Sequence, residues 1–382
     1  MNEVVISFIF ISIYIIIYFF FKLYNNKTKR KDDILINKEI LSKLNIVPFS
    51  FTKTPFKRHN EEDHVISFLF LKNKDFLSGQ MNGMISYYSG KTYQAILLII
   101  EHCAPITSLS QLNDETILTS SAEGTMKKIK ILLNDGKKKR YLVEFVFYTN
   151  KEFIFKSIQL KNNDDILSCD ITKELLLWKK NQNNDYPLYK GEKVLLNNEY
   201  VRDILQINEN IFITCGENIQ CWNTQTYELM KKLSYNCKGN NSLYKINDDY
   251  TAILLQKDGD ILLFNNKTLS EIKIFTISSF SLTCIKPLSN NIIAVGIFDN
   301  KNKKSIINQY LFNNKVKENQ ENGNEIEFIK VKEENIDKEN YLFSKNEWER
   351  INIIEEMGNK IFLGFGGQKD MKYFGKIIIL EN

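Results

Sequence analysis

The feature that most constrains the fold of this chain is a sequence phrase that returns about every 40 residues. Its clearest copy contains two strand-like runs, Ile106–Leu112 and Thr116–Ser120, on either side of a polar turn, and a third run, Thr125–Ile131, after the tight turn Glu123-Gly124. Apolar and polar residues alternate within each run, as they do along half-buried β-strands. Comparable phrases begin near residues 66, 106, 157, 203, 243, 283 and 351.

A period of roughly 40 to 50 residues with three or four short strands per unit is typical of a β-propeller. We therefore predict an all-β fold in which residues 45–382 form a seven-bladed β-propeller, with a polar insert at 313–345. The last unit ends with its third strand, Lys376–Leu380, and leaves an apolar edge that another segment must cover. We predict that the extended run Asn45–Lys53 pairs with Ile377–Leu380 and closes the ring.

The N-terminal run Val4–Phe21 holds no charged residue and is long enough, as a helix, to cross the apolar part of a bilayer. We predict a single transmembrane helix within residues 1–24, followed by a basic juxtamembrane stalk or short helix at 25–44. A cleaved signal peptide is the alternative, although a small-residue cleavage site is missing. The basic flank Lys22–Lys31 predicts that the propeller faces the cytosol. We expect a single-pass protein of the endoplasmic reticulum or another endomembrane rather than of the plasma membrane.

The balance of charge and the cysteines exclude some classes of function. The 51 basic and 46 acidic residues are interspersed, so the net charge of +5 gives no nucleic-acid footprint. The six cysteines form no CxxC pair. Four of them fall inside apolar runs, where reduced and buried thiols are expected, with disulfides or metal binding as the alternative: Cys169, Cys215, Cys221 and Cys284.

The sequence offers no catalytic constellation. Its three histidines, His59, His64 and His102, have no partners at the spacing of a metal site or a catalytic triad. The glycine-rich run Phe365–Gly367 is interpreted as a turn between strands. We therefore predict no catalytic, cofactor-binding or metal-binding residues, and a protein that is not an enzyme.

One basic run stands out, Asp135–Arg140. We interpret it as the turn between the third and fourth strands of the second unit. Such a turn is usually only solvated. The alternative is that Lys137, Lys138, Lys139 and Arg140 contact an anionic lipid surface or an acidic partner.

The phrase Ile117–Ile129, ILTSSAEGTMKKI, resembles the second and third strands of a WD-repeat (tryptophan–aspartate) propeller. The resemblance implies that a bulky residue ends the third strand of each unit and packs between blades. The matching positions are Tyr88, Ile129, Trp178, Trp222, Phe264, Tyr310 and Leu380.

The resemblance also implies hydrogen-bonded groups ahead of the blades. His59 and His102 precede units one and two where that family has a Gly-His pair. In unit two, His102 with Ser120 or Ser121 and with Glu123 can imitate the family's hydrogen-bonded tetrad. The sequence departs from the family in having no Trp-Asp pair and no Gly-His pair.

A disc of blades suits binding better than chemistry. We therefore expect a membrane-anchored, non-enzymatic scaffold or adaptor that binds other proteins through its loops. The alternative, based on a likeness in fold and anchor, is a regulator of a small GTPase at the endoplasmic reticulum, similar to an exchange factor.

Overall fold

The computed structural model describes residues 57–61, 63–133, 139–149, 153–181, 188–194, 199–234, 241–255, 259–315, 325–336, 348–369 and 372–381. The predicted anchor Val4–Phe21, the stalk at 25–44 and the run Asn45–Lys53 lie outside these residues. In the part of the chain that is described, no helix is long and apolar enough to cross a membrane.

Seven antiparallel sheets of four strands each make up the described fold, and we number these blades in chain order. Blade one consists of β2 (Val65–Phe70), β3 (Phe76–Gln80), β4 (Met84–Tyr88) and β5 (Ala95–Ile100). Blade two consists of β6 (Ile106–Gln111), β7 (Ile117–Ser121), β8 (Thr125–Leu133) and β9 (Lys139–Tyr148). Blade three consists of β10 (Ile154–Gln159), β11 (Ile166–Asp170), β12 (Leu175–Lys180) and β13 (Tyr189–Val194).

The remaining blades repeat this order. Blade four consists of β14 (Val201–Gln206), β15 (Ile211–Gly216), β16 (Ile219–Asn223) and β17 (Leu229–Leu233). Blade five consists of β18 (Asn241–Lys245), β19 (Tyr250–Leu255), β20 (Asp260–Asn265) and β21 (Ser270–Thr276). Blade six consists of β22 (Ser281–Pro287), a 3-10 turn (Ser289–Asn291), β23 (Ile292–Asp299), β24 (Lys304–Lys315) and β25 (Glu325–Ile336). Blade seven consists of β26 (Trp348–Met357), β27 (Lys360–Lys369), β28 (Lys372–Glu381) and β1 (Lys57–Glu61).

The core lies between neighbouring blades, and the bulky residue at the end of each third strand packs there. All seven predicted positions are buried. Trp178 packs with the blade-two residue Phe147, whose ring centroid lies 5.2 Å away in an edge-to-face arrangement. Trp222 joins the apolar cluster between blades three and four. The resemblance therefore identified the packing residues correctly.

The ring is closed by β1, which pairs with β28 as the outermost strand of blade seven. Arg58 lies opposite Ile378, and His59 lies opposite Ile377. The prediction that a segment ahead of blade one covers the last strand is confirmed, but the chosen segment is wrong. Lys57–Glu61 takes the place that was predicted for Asn45–Lys53.

Two other local predictions are corrected by the described residues. Phe365–Gly367 lies within strand β27 and not in a turn. Gly366 is required there because a Cβ atom would lie 2.6 Å from the ring of His64. The predicted polar insert at 313–345 contains a full strand of blade six, since β25, residues 325–336, pairs with β24 as the outer strand of that sheet.

Blades two, three and four each fasten to the blade before them through a glutamine at the end of the first strand. The Oε1 atom of Gln111 accepts a hydrogen bond from the Lys72 backbone N–H at 3.2 Å. Gln159 accepts one from Asn113 at 2.7 Å, and Gln206 accepts one from Lys161 at 2.9 Å. These bonds fix the turns of one face relative to one another.

Candidate functional site

A cleft of about 680 Å³ opens between blades three and four on the face that bears these turns. Three segments line it: Asn163–Asp165 before β11, Lys179–Asn181 at the end of β12, and Gln225–Tyr227 between β16 and β17. The volume is in the usual range for small-ligand and peptide sites. Because the lining side chains are almost all polar, the cleft suits a hydrophilic ligand.

The walls of the cleft are held by hydrogen bonds across the blade boundary. Tyr227 of blade four donates its hydroxyl to Oδ2 of Asp165 in blade three at 2.6 Å. The same hydroxyl accepts a bond of 2.8 Å from Nδ2 of Asn163. Lys180 lies 3.0 Å from Oδ2 of Asp164. The cleft is therefore set in shape before any ligand arrives.

The turn that presents Gln225 and Tyr227 is built by the residue after Trp222. The Oδ1 atom of Asn223 accepts hydrogen bonds from the backbone N–H groups of Gln225 and Thr226, at 2.7 and 3.0 Å. Tyr227 then adopts a positive φ of 59°. Asn223 thus stands directly after Trp222, where the WD repeat has its aspartate.

The same turn recurs in blades five and one. Asn265 accepts bonds from Lys267 and Thr268, and Ser89 accepts bonds from Lys91 and Thr92. The sequence carries the signal, because Asn or Ser is followed three residues later by Thr in all three turns. A search for Trp-Asp alone misses it.

The ionisable groups of the cleft are suited to binding and not to proton transfer. Burial and the hydrogen bond to Asp165 raise the pKa of Tyr227 far above its usual value. The hydrogen bond from Asn113 lowers the pKa of Asp164 against the opposing effect of burial, and Lys180 adds to the decrease. Tyr227 therefore remains a neutral donor and Asp164 a paired carboxylate near neutral pH.

The hydrogen-bonded group predicted in blade two is present, but one of its members differs from the prediction. His102 is buried, with Nδ1 2.7 Å from Oε1 of Glu123 and Nε2 2.7 Å from Oγ1 of Thr119. The prediction named Ser120 or Ser121 in place of Thr119. Ser120 is wrong because neighbours on a strand point to opposite faces, and its hydroxyl instead meets Ser157 of blade three at 2.5 Å. Ser121 bonds to the carbonyl oxygen of Ala104.

Glu123 organises this group without activating a nucleophile. Burial opposes ionisation of Glu123, but hydrogen bonds from His102, Thr125 and Cys103 outweigh it and hold its pKa well below the usual range. The carboxylate in turn raises the pKa of the exposed Cys103 thiol, with some help from burial. A thiol in this position is less reactive than a free one.

The basic run lies only partly between β8 and β9, because its last two residues belong to β9. Lys137 and Lys138 fall outside the described residues, Lys139 begins β9 opposite Leu133, and Arg140 is exposed. The described residues Lys139 and Arg140 belong to blade two and do not line the cleft, which lies between blades three and four.

His64 and the four predicted core cysteines are buried in the packing of the blades. His59 lies in β1, and the buried histidine beside blade one is His64, whose Nε2 is 2.7 Å from the carbonyl oxygen of Gly367. The four predicted core cysteines are buried and free. Burial raises the pKa of Cys221 to about 11 and that of Cys284 to about 12. Among the described residues, no group of His, Cys, Asp or Glu side chains is placed to hold a metal ion.

Comparison with solved structures identifies the fold. The chain is similar to the β-propeller domain of Cps50 (Swd1) from Myceliophteria thermophila, with a TM-score of 0.61 and 13% identity over 85% of this chain and 98% of that one. It is similar to the WD40 repeats of RRP9, with a TM-score of 0.59 and 10% identity over 86% of this chain and 99% of that one. It is also similar to Raptor from Chaetomium thermophilum, with a TM-score of 0.63 and 12% identity over 86% of this chain but only 30% of that one.

The chain has the fold of a seven-bladed WD40 propeller. At 10–13% identity these structures establish the fold alone. No sequence profile of a known family matches the chain, and no curated protein does.

Proposed function

We propose that this protein is a non-enzymatic, membrane-anchored propeller that binds other proteins on the cytosolic side. The observation that carries the proposal is the polar cleft between blades three and four, whose walls are fixed by the Asn163–Tyr227–Asp165 hydrogen bonds. A preformed site loses little freedom on binding, so more of its contact energy is realised as affinity. The absence of catalysis stays a prediction.

The ligand that this cleft suits best is a hydrophilic segment of a partner protein. Lys179 and Lys180 offer positive charge at one wall, and Asn163 and Gln225 offer amide groups. Both lysines already have acidic neighbours, Glu192 at 2.9 Å and Asp164 at 3.0 Å. The cleft is therefore nearly balanced in charge, which favours a polar peptide over a highly charged polymer.

A single substitution tests the cleft. Gln225→Lys in the full chain changes the lining without touching the turn, because the turn uses only the backbone N–H of Gln225. The matched control is Lys267→Gln, which changes the same position of the corresponding turn in blade five. Quantitative affinity purification should show a partner reduced about tenfold by Gln225→Lys and retained by the control. Equal recovery of every partner with both variants would contradict the proposal.

Membrane anchoring rests on the sequence of Val4–Phe21 and its basic flank. Glycosylation tests the sidedness, because a cytosolic propeller carries no glycan. The N-glycosylation sequon at Asn266 gives no information on sidedness, because the side-chain amide of Asn266 is buried and donates hydrogen bonds to the backbone oxygens of Asn247 and Asp248. The sequons at Asn26 and Asn240 are therefore the informative ones, and an endoglycosidase-sensitive mass shift would place the chain in the lumen.

Regulation of a small GTPase is the second candidate from the sequence. It rests on the combination of propeller and predicted anchor, and no contact in the cleft favours it. Nucleotide exchange on purified small GTPases, measured with and without the full chain, separates an exchange factor from a scaffold.

A further inference from the structure

The outer strand of blade one, β5, differs in composition from every other outer strand that the structure describes. Its sequence, AILLII, contains no charged residue. The other outer strands, β1, β9, β13, β17, β21 and β25, each contain at least one lysine. Charges on an edge strand, lysine above all, discourage pairing with another chain. β5 is the one described outer strand that lacks this protection.

The side chains of β5 alternate between the core and solvent. Ile99 is fully buried and packs, with Leu97, in the cluster between blades one and two. Ile96, Leu98 and Ile100 are 40%, 43% and 61% exposed. Aliphatic side chains that line the outer face of a strand in this way form a surface for burial against another apolar strand.

The backbone of β5 is paired on one side only. Ile99 lies opposite Ile85 and Leu98 opposite Ser86 of β4, and β5 is the last strand in the order of its sheet. Its outer row of N–H and C=O groups is therefore an edge to which a further strand can bond, except at Ile100, whose backbone is hydrogen-bonded to the hydroxyl of Tyr141 in β9.

We propose that β5 accepts an extended apolar segment of a partner protein as a fifth strand of blade one. This inference rests on the proposed protein-binding function and adds a second binding surface to it. Main-chain hydrogen bonds along residues 95–99 supply the affinity. Apolar residues at alternate positions of the partner segment pack on Leu98 and Ile100 and supply the specificity.

The size of the edge selects this occupant over a second copy of the chain. A stable interface between two folded proteins uses about 20 to 30 residues on each side. β5 offers six residues, which matches a single peptide strand. A partner segment with a charge facing Leu98 or Ile100 would bury that charge without a counterion, so the facing residues must be apolar.

The test uses Leu98→Lys in the full chain, which gives β5 the lysine that the other outer strands have. The matched control is Met230→Lys on β17, an exposed apolar residue (50%) on a strand that already carries Lys231 and Lys232. Both positions are on the surface, and equal melting temperatures will confirm that both variants are folded. Partners of the wild-type chain, both variants and Gln225→Lys are quantified by affinity purification. Amide hydrogen exchange is then measured on the purified complex.

The proposal expects a partner that Leu98→Lys loses about tenfold and that Met230→Lys and Gln225→Lys keep. In that complex, the amides of residues 95–100 that face away from β4 should exchange at least about tenfold more slowly than in the free protein. The proposal is overturned if every partner survives Leu98→Lys, or if the protection falls elsewhere. It is equally overturned if the amides of 95–100 that face away from β4 are already protected in the free chain, or if Leu98→Lys halves the mass of a dimer. Loss of partners through Gln225→Lys alone would support the cleft and not the edge.

Discussion

His59, in the first described strand, lies directly opposite Ile377 in the last, and this pairing makes blade seven a four-stranded sheet built from both ends of the propeller. Without β1, the backbone edge of β28 has no partner strand in this sheet. Closure by pairing of distant segments makes the ring a single cooperative unit, because the loss of one strand exposes the core of two blades.

The tryptophans at the blade boundaries carry packing and one hydrogen bond each. Trp222 is almost fully buried, and its indole N–H donates to Oγ1 of Thr214 at 3.1 Å. We expect Trp222→Ala to reduce the free energy of unfolding by about 3–5 kcal/mol. Trp222→Phe keeps most of the packing, and we expect a smaller loss of about 1–2 kcal/mol. Urea unfolding measures both, and an Ala variant with unchanged stability but lost partner binding would show that Trp222 belongs to a binding site.

Glu123 should make stability depend on pH in the acid range. Its folded pKa lies below the usual glutamate value of about 4.3. The unfolded chain therefore binds the proton first, and the stabilisation is complete above about pH 4.3 and is lost as the pH falls below that value. We expect Glu123→Gln to cost about 1–3 kcal/mol at pH 7 and to flatten the acid limb of the stability curve. Glu115→Gln, at a side chain 71% exposed, is the control and should change little.

His64 should also make stability depend on pH, in a higher pH range than Glu123 does. Burial lowers its pKa despite the hydrogen bond to the Gly367 carbonyl. The unfolded chain thus takes up a proton near pH 6.5 that the folded chain resists, so stability is complete above that pH and falls below it. Thermal unfolding of wild type and His64→Gln between pH 7.5 and 5.5 should show a smaller decrease for the variant. Parallel curves would contradict this assignment.

A comparison of two glycines distinguishes the cost of backbone strain from the cost of steric crowding. Gly83 and Gly358 have positive φ values of 89° and 64°. A Cβ atom on Gly83 would lie 2.4 Å from the carbonyl oxygen of His102, whereas one on Gly358 meets nothing within 4 Å. We expect Gly358→Ala to cost about 1–2 kcal/mol from backbone strain alone, and Gly83→Ala to cost more. Equal losses in denaturant unfolding would show that the turn around Gly83 relaxes freely.

Much of the fold was predictable because strand alternation and turn residues report on local structure. The third-strand positions, from Tyr88 to Leu380, were assigned correctly through the resemblance to the WD repeat, which places a bulky residue at the end of each third strand. The closing strand was not assigned correctly. Asn45–Lys53 contains Val and Phe, which favour strands, whereas Lys57–Glu61 reads KRHNE and has little strand propensity. Whether a segment becomes an edge strand depends on its register with the neighbouring strand and on whether that position tolerates charged side chains. Strand propensity reports neither property.

The site was less predictable because it depends on contacts between blades. Asn163, Asp165 and Tyr227 form the cleft walls only when blade four packs on blade three. In the sequence alone, Asn163 and Asp165 are ordinary turn formers and Tyr227 is an ordinary strand former. The tetrad shows the same limit on a smaller scale, because the choice among Thr119, Ser120 and Ser121 depends on which way each strand residue points.

The central claim, that Lys57–Glu61 closes a seven-bladed ring, is tested most directly by amide hydrogen exchange along β28. Replacing both Arg58 and His59 by Pro in the full chain removes two backbone donors from β1 and prevents regular pairing. We predict that the amides of Ile377–Ile379 that face β1 are strongly protected in the wild-type chain and lose that protection in the double variant, whereas those that face β27 keep it. Unchanged protection of Ile377–Ile379 in the double variant would contradict the closure and the ring built on it.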